Sequence, residues 1–298
     1  MRDKDMNLVE NKMSKRLVTI CEMLRGAGDI ICNSIADVSD SAPAETNVGG
    51  LRTADVGCDH GYISIYLVQN NISESAIAMD VRKGPLSGAA DNINEYELSG
   101  RIETRLSDGL KELKEGEVNS VVIAGMGGDL MKRLLEDADL SALGIKAGVL
   151  QPQSELDLFR AYLREKGYVI ADEKIVFEDG KYYFPMLVIF DDNFGVSKSL
   201  ETSENIRDMH AGNALENAIA TLCNKGGVSK EDALNICNAY GEHNILSSNP
   251  LLHDYLVHGR QVDESIIKSL DKDAHAERLS EIKKELFYID SILKAAFL

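Results

Sequence analysis

Between Leu51 and Phe190, short apolar runs alternate with stretches of helical periodicity. The runs at 53–57, 75–80, 101–106, 118–124 and 147–150 predict five strands. Helices are predicted between them: Tyr62 to Gln69, Pro85 to about Leu98, Asp129 to Asp137, and Ser154, as a cap, to Lys166. The Val-Val-Ile-Ala run within 118–124 fits a strand covered on both faces. Tyr168 to Phe177 and Tyr182 to Phe190 read as the arms of a hairpin, with Asp-Gly as its turn signal. Strands alternating with helices, then a hairpin, predict an α/β fold with a doubly wound sheet and an antiparallel last strand.

The flanks have a different rhythm. Residues 1–13 are polar and read as frayed. Leu17, Ile20, Cys21 and Leu24 follow at helical spacing, with Ser14 placed to serve as N-cap. The segment 25–50 is rich in Gly, Ser, Ala and Asp and reads as a long loop, with room for a short helix around Ile30-Ile-Cys32. After Phe190, Asp191-Asp-Asn-Phe-Gly reads as a linker, and no strand pattern follows. Leu279, Ile282, Leu286, Ile289 and Leu293 alternate spacings of three and four, a coiled-coil seam. The helix before it is predicted to end near Gly259. The expected organisation is an N-terminal helix and loop over 1–50, an α/β domain over 51–192 and a helical coiled-coil domain over 193–298.

Composition narrows the classes. A length of 298 residues suits two domains, and 44% hydrophobic content is ample for a core. The net charge of −17 argues against a simple basic nucleic-acid binder, because phosphate neutralisation needs clustered Lys and Arg. It fits a soluble acidic surface and would suit a cationic ligand. The five cysteines include no C-x-x-C pair and the six histidines no H-E-x-x-H, so no metal site is expected. The charged start has no signal-peptide core, and no apolar run reaches the ~18 residues of a membrane span. A cytoplasmic protein without membrane contact is expected, a monomer by default.

The chemistry concentrates in Thr53-Ala-Asp-Val-Gly-Cys-Asp-His-Gly-Tyr62. This is a strand, a Gly-rich turn and a helix start, and open α/β sheets bind ligands at such strand ends. The turn lacks the third glycine of the dinucleotide fingerprint G-x-G-x-x-G. An acid at the strand end (Asp55), a Gly-x-x-x-Gly turn and an acid closing the next strand (Asp80) fit S-adenosylmethionine (SAM) better. Asp80 stands where an acid accepts from ribose hydroxyls. Asp108, closing the third strand, stands where a side chain can meet the adenine amino group, and Gly125, Gly127 and Gly128 form an unhindered surface after the central strand. Each has a plainer alternative. Asp55 could cap a backbone turn, Asp80 could be a solvated strand end, and Asp108-Gly109 an ordinary turn. The three glycines could serve tight helix–strand packing, His60 could be a turn residue, and Asp59 could cap the following helix.

Several motifs together resemble the bacterial tRNA (adenine-N1)-methyltransferases that modify position 22, the TrmK family. They are Ser14-Lys-Arg-Leu17, Ala54-Asp-Val-Gly-Cys-Asp-His-Gly-Tyr62, Val122-Ile-Ala-Gly-Met-Gly-Gly128, Leu150-Gln-Pro-Gln153, Leu158-Phe-Arg-Ala-Tyr-Leu163, and Tyr240-Gly-Glu-His-Asn-Ile-Leu246 with Asn249-Pro-Leu-Leu252. The chain departs from the family pattern, which usually has Ser at Cys58, Ala at Gly61, Glu at Asp80, Asn at Gln153 and Pro at Glu242. The resemblance implies a Rossmann-like class I SAM-dependent methyltransferase domain with a C-terminal coiled-coil domain. It implies SAM as cofactor and tRNA as partner. The cofactor-binding residues would be Asp55, Gly57, Cys58, Asp80, Ser107, Asp108, Gly109, Gly125, Met126 and Gly127, and the catalytic candidates Asp59, His60 and Tyr62. The rivals are a methyltransferase for a protein or small molecule, a non-catalytic SAM-binding or coiled-coil interaction protein, and a nicotinamide-dependent oxidoreductase, which the missing dinucleotide fingerprint disfavours. Absence of Asn-Pro-Pro-Tyr after the fourth strand argues against the common N6-adenine and glutamine methylating types.

Overall fold

The computed structural model of the chain describes residues 8–36, 50–190, 211–270 and 275–298. Strands β1 (Leu51–Val56), β2 (Ser73–Asp80), β3 (Ile102–Leu106), β4 (Ser120–Met126), β5 (Ala147–Pro152), β6 (Val169–Glu173) and β9 (Met186–Ile189) form a seven-stranded sheet in the order β3-β2-β1-β4-β5-β9-β6. β9 runs antiparallel to both β5 and β6, while β1 to β5 pair in parallel. The sheet is covered on both faces. Helices α1 (Lys15–Ala36), α2 (Tyr62–Gln69) and α3 (Lys83–Glu95) build one core, with Ile20, Leu24, Ile65 and Leu67 buried against Val122. Helices α4 (Gly128–Glu136), α5 (Leu140–Leu143) and α6 (Leu156–Glu165) build the other, with Met131, Leu135 and Phe159 against Val121 and Ile123. Burial of successive β4 residues on opposite faces explains its unbroken apolar run. The strand order reverses between β1 and β4, so their crossovers diverge and leave a crevice at the carboxyl ends.

Several local expectations give way. Val9–Lys12 is a short 3-10 helix; Val9 is buried, and its N–H donates to Gln69 Oε1 at 3.1 Å. The predicted loop from residue 25 is helical as far as Ala36, and residues 37–49 lie outside the described ones. Its glycines lower helix propensity, but they let α1 lie close to Leu187 and Leu51, and packing outweighs propensity. Ser154 does not cap α6. Glu155 holds that position at φ 55 and accepts instead from Asp129 N at the start of α4. The hairpin is split: β6 pairs with β9, while β7 (Val176–Glu178) and β8 (Lys181–Tyr183) form a separate ribbon around Asp179-Gly180. The break falls where Ile175 and Phe184 turn into the helical domain's core and Pro185 has no N–H for the ladder.

The helical part comprises α7 (Ala211–Thr221), a π-turn at Leu222–Gly226, α8 (Lys230–Tyr240), α9 (Glu242–Leu246), α10 (Pro250–Ser269) and α11 (Ala276–Ala296). The expected linker at 191–195, and with it the boundary between the two domains, lies outside the described residues. α10 passes through Gly259 rather than ending there. A Cβ at Gly259 would sit 3.6 Å from Ile289, so the glycine lies against α11 at the helix crossing. α10 and α11 are antiparallel, joined by Arg260–Asp290 and by Ser248 Oγ donating to the Ala296 carbonyl. Of the predicted seam, Ile282 and Ile289 are buried and Leu279, Leu286 and Leu293 only partly so. Tyr288, Ile292 and Ala295 widen the buried face, because α11 also packs on the π-turn. The pair is a hairpin within a small bundle. Among the described residues no helix is long and apolar enough to cross a membrane.

A buried charge joins the two parts. Arg160 of α6 donates through Nε to Glu173 Oε1 at 2.8 Å and through Nη1 to the carbonyls of Asn238 and Ala239. Those carbonyls end α8 and lack partners within the helix, so the guanidinium caps it where the dipole favours a cation. Burial raises the Glu173 carboxyl above its ordinary range, and Arg160 opposes that shift. Arg164 pairs with Glu242 alongside, which gives this chain's departure at position 242 a structural role.

Candidate active site

β1 and β2 are tied at their carboxyl ends, since Gly57 N and Cys58 N both donate to the Met79 carbonyl. Gly57 and Gly61 have φ of 75° and 72°, and Asp59 between them has φ of 48°. A Cβ on Gly57 would come 2.5 Å from Met126 Cε, so a larger residue would push the Met126 side chain out of its place in the cavity wall. These left-handed turns leave Asp59 and His60 exposed. α2 starts at Tyr62 with Gly61 in the N-cap position and no side-chain cap. Asp59 therefore does not cap the helix. Its Oδ2 lies 3.8 Å from His60 Nε2, and the His60 ring stacks on Tyr62 with centroids 5.7 Å apart.

Behind this exposed group lies a cavity of about 710 Å³, within the ~300–1,000 Å³ range of small-molecule sites. It brings together nearly all the candidate residues: Asp55, Gly57, Cys58, Asp59, His60, Tyr62, Asp80, Ser107, Asp108, Gly109, Gly125 and Met126. Gly127 is not among its lining. Gly127 is the N-cap of α4 and packs on Ser154 Oγ, while a Cβ on Gly128 would approach the Ser154 carbonyl to 2.7 Å. Tight packing thus accounts for these two glycines, and only Gly125 (φ 79°) opens the wall. Asp55 is buried, and one oxygen accepts from both Ser64 N (3.2 Å) and Ser64 Oγ (2.7 Å). It ties β1 to the first turn of α2 while also facing the cavity. Asp80, also buried, accepts from Arg82 N at 2.8 Å. Ser107 Oγ donates to the Gly109 carbonyl and shapes the third strand's turn, while Asp108 pairs with Lys111. Burial pushes the Cys58 thiol up, so it lines the wall as a neutral group.

Burial pushes the Asp55 carboxyl up to about 6. Below the ordinary aspartate value both folded and unfolded forms are protonated and nothing is lost. As pH rises past it, only the unfolded chain ionises, so stability declines until the folded group ionises near 6. A shift of about two units corresponds to ~3 kcal/mol at neutral pH. Asp55→Asn should remove this decline and give a flatter melting temperature between pH 4 and 6 than the unsubstituted protein. Parallel curves would refute the assignment.

Other lining residues were not among the site candidates, although Arg16, Leu17 and Gln153 fall in motifs that carry the family resemblance. Arg16 and Leu17 reach the cavity from α1, and Val81, Leu130 and Gln153 add apolar and amide surface. Arg16 Nη1 donates to Gln151 Oε1 at 2.7 Å, and its guanidinium lies 5.0 Å from the Tyr183 ring. The Ser-Lys-Arg-Leu motif was the only hint of it. Among the described residues no cluster of His, Cys, Asp or Glu could hold a metal.

A family described as "Methyltransferase domain" matches residues 44–186. The chain is 33% identical over 174 residues to the tRNA (adenine(22)-N(1))-methyltransferase of Bacillus subtilis, a match covering 58% of this chain and 63% of that protein. The match thus spans less than two thirds of that relative. The crystal structure of the B. subtilis m1A22 tRNA methyltransferase TrmK superposes with a TM-score of 0.65 at 24% identity, covering 94% of this chain and 98% of the other. The TrmK of M. capricolum superposes at 0.63 with 22% identity, covering 94% and 99%. A Rossmann-superfamily protein of Streptococcus agalactiae gives 0.67 at 21% identity over 94% and 97%. The resemblance read from the sequence is therefore met by a relative of that activity over 58% of this chain, and in fold over 94% of it.

Proposed function

We propose that this chain is a SAM-dependent methyltransferase acting on N1 of an adenine in tRNA, at position 22 as in the B. subtilis relative's name. The observation that carries this is the crevice at the sheet's switch point, with a buried acid at the end of each of β1 and β2 and an exposed acid, Asp59, at its mouth. The pocket fits SAM on its own terms. Gly57 puts bare backbone into the cavity wall, and Asp55, buried there with Ser64 as its hydrogen-bond donor and no ion-pair partner among the described residues, suits the cationic methionine end. The M. capricolum neighbour was solved with the product S-adenosylhomocysteine. Asp55 and the Gly57 turn would hold the methionine end and Asp80 the ribose. The Ser107–Gly109 turn would meet the adenine. When bound, SAM supplies an electrophilic methyl group, and its transfer moves one positive charge onto the substrate ring.

Neutral adenine N1 carries an available lone pair, so the chain need only orient it and accommodate that charge. Asp59, ionised, accepts from the N6 amino group beside N1 and faces the growing charge. His60 stacked on Tyr62 offers a flat surface for the extruded base. Unmodified tRNA incubated with labelled SAM should gain label and a reverse-transcription stop at one adenine. Label on protein or small molecules instead, with no stop, would replace this reading with its rivals.

Removing Asp55 would also loosen α2 through Ser64, so Asp80→Ala is the cleaner cofactor test. Loss of a hydrogen bond to a charged group costs roughly 1.5–3 kcal/mol, about tenfold or more in SAM affinity. Unchanged affinity by calorimetric titration would move the ribose contact elsewhere. For tRNA, the helical part offers Lys268, Lys283, Lys284 and Lys294, while Arg278 is paired with Glu281 and Lys272 lies outside the described residues. A chain ending near Phe190 would uncover Ile175, Phe184 and Arg160, so substitution tests this surface better than truncation. The double variant Lys268→Glu, Lys283→Glu should bind tRNA more weakly, its salt slope reduced by roughly 0.9 for each phosphate no longer neutralised. An unaltered slope would exonerate both residues.

A further inference from the structure

A second cleft, of about 680 Å³, lies between the β7–β8 ribbon and α10. Phe177, Tyr182, Tyr183, Tyr255 and His258 line it, with Lys181 at its edge. Phe177 packs on Tyr182 with centroids 4.6 Å apart, and Tyr182 meets Tyr255 at 5.0 Å. Phe177 is nevertheless 45% exposed. The cleft adjoins the active site. Gln153 lines both, and Arg16 of the active-site wall lies over the ring of Tyr183.

We propose that this aromatic cleft takes an unstacked nucleotide of the RNA next to the adenine being methylated. The inference rests on the function proposed above. N1 lies on the pairing edge, so the target must leave its stack before it can react. Its neighbours then lose a stacking partner. Aromatic rings beside the target pocket replace that lost stacking, without reading sequence, because every base has a π-face. Lys181 and Arg16 place positive charge along the path in a chain that is otherwise strongly acidic. A continuous run from cavity to cleft therefore grips the strand through stacking more than through phosphate contacts.

The test uses the full chain and a tRNA stem-loop carrying 2-aminopurine on one side or the other of the methylated adenine. Binding should quench the probe at one of these positions. Phe177→Ser, which removes an exposed ring, and Tyr182→Leu, which keeps apolar bulk but not a flat face, should each abolish that quenching. RNA affinity should fall about tenfold, the scale of one stacked base, with SAM affinity unchanged. Quenching and RNA affinity retained in both variants would overturn the inference, whatever else occupies the cleft. Failure of the unsubstituted protein to methylate any tRNA would instead overturn the function on which it rests.

Discussion

Asp59→Asn is expected to lower single-turnover methylation ~100-fold or more while leaving fold and SAM affinity intact. The substitution is clean for structural reasons. Asp59 is exposed, caps no helix and holds φ at 48°, a left-handed conformation that Asn adopts readily. No buried partner is lost; its near neighbour is His60, 3.8 Å away. The change removes a negative charge and replaces one acceptor oxygen with a donor that would face the adenine amino group. If Asp59 only shaped the turn, Asn would serve equally and turnover would stay normal. Near-normal single-turnover rates would therefore dismiss Asp59 and move attention to His60 and Tyr62. Comparing single-turnover rates at saturating tRNA keeps weakened RNA binding out of the result.

Gly241→Ala is expected to loosen the helical part from the α/β part. Gly241 has φ of 81°, and a Cβ there would collide with the Glu173 carboxylate. Glu173 cannot withdraw without abandoning Arg160, and both side chains are fully buried. Breaking one partner from a buried pair costs roughly 3–5 kcal/mol. For a chain of this size that corresponds to a melting temperature lower by about 5–8 °C. Gly167→Ala supplies the control, because Gly167 shares the positive φ (76°) but a Cβ added there would meet nothing within 4 Å. It should show the backbone strain alone, a small fraction of the effect. Equal shifts for the two variants by thermal circular dichroism would mean that the ion pair contributes nothing particular at Gly241.

The residues that line the candidate site's cavity were legible to different degrees. Asp55 and Asp80 could be found because each ends an apolar run, and a strand end in this architecture is a ligand site. Gly57 and Gly61 could be found because a turn that sharp needs left-handed backbone. Of the three glycines at the end of β4 and just beyond it, Gly125 lines the cavity as expected, but Gly127 and Gly128 were misleading: composition cannot say whether a missing side chain admits a ligand or a neighbouring loop, and Ser154 decided for the loop. Arg16 had only the Ser-Lys-Arg-Leu motif to point to it, since its helix precedes the sheet and reaches Gln151 across 135 residues of chain.

Periodicity along the chain determined the strands, the helices of the α/β domain and the antiparallel last strand, because burying one face or two leaves a local imprint on residue order. It also determined that a helical region follows. Only the tertiary structure decided where elements stop and whom they meet. α1 continues through its glycines because Leu187 and Leu51 need close approach, and α10 continues through Gly259 because Ile289 does. The hairpin splits because Ile175 and Phe184 find a second core. Arg160 is a buried cation because the end of α8, 78 residues away, has carbonyls to cap. In each case the deciding energy comes from a partner distant in sequence, and no local pattern carries its imprint.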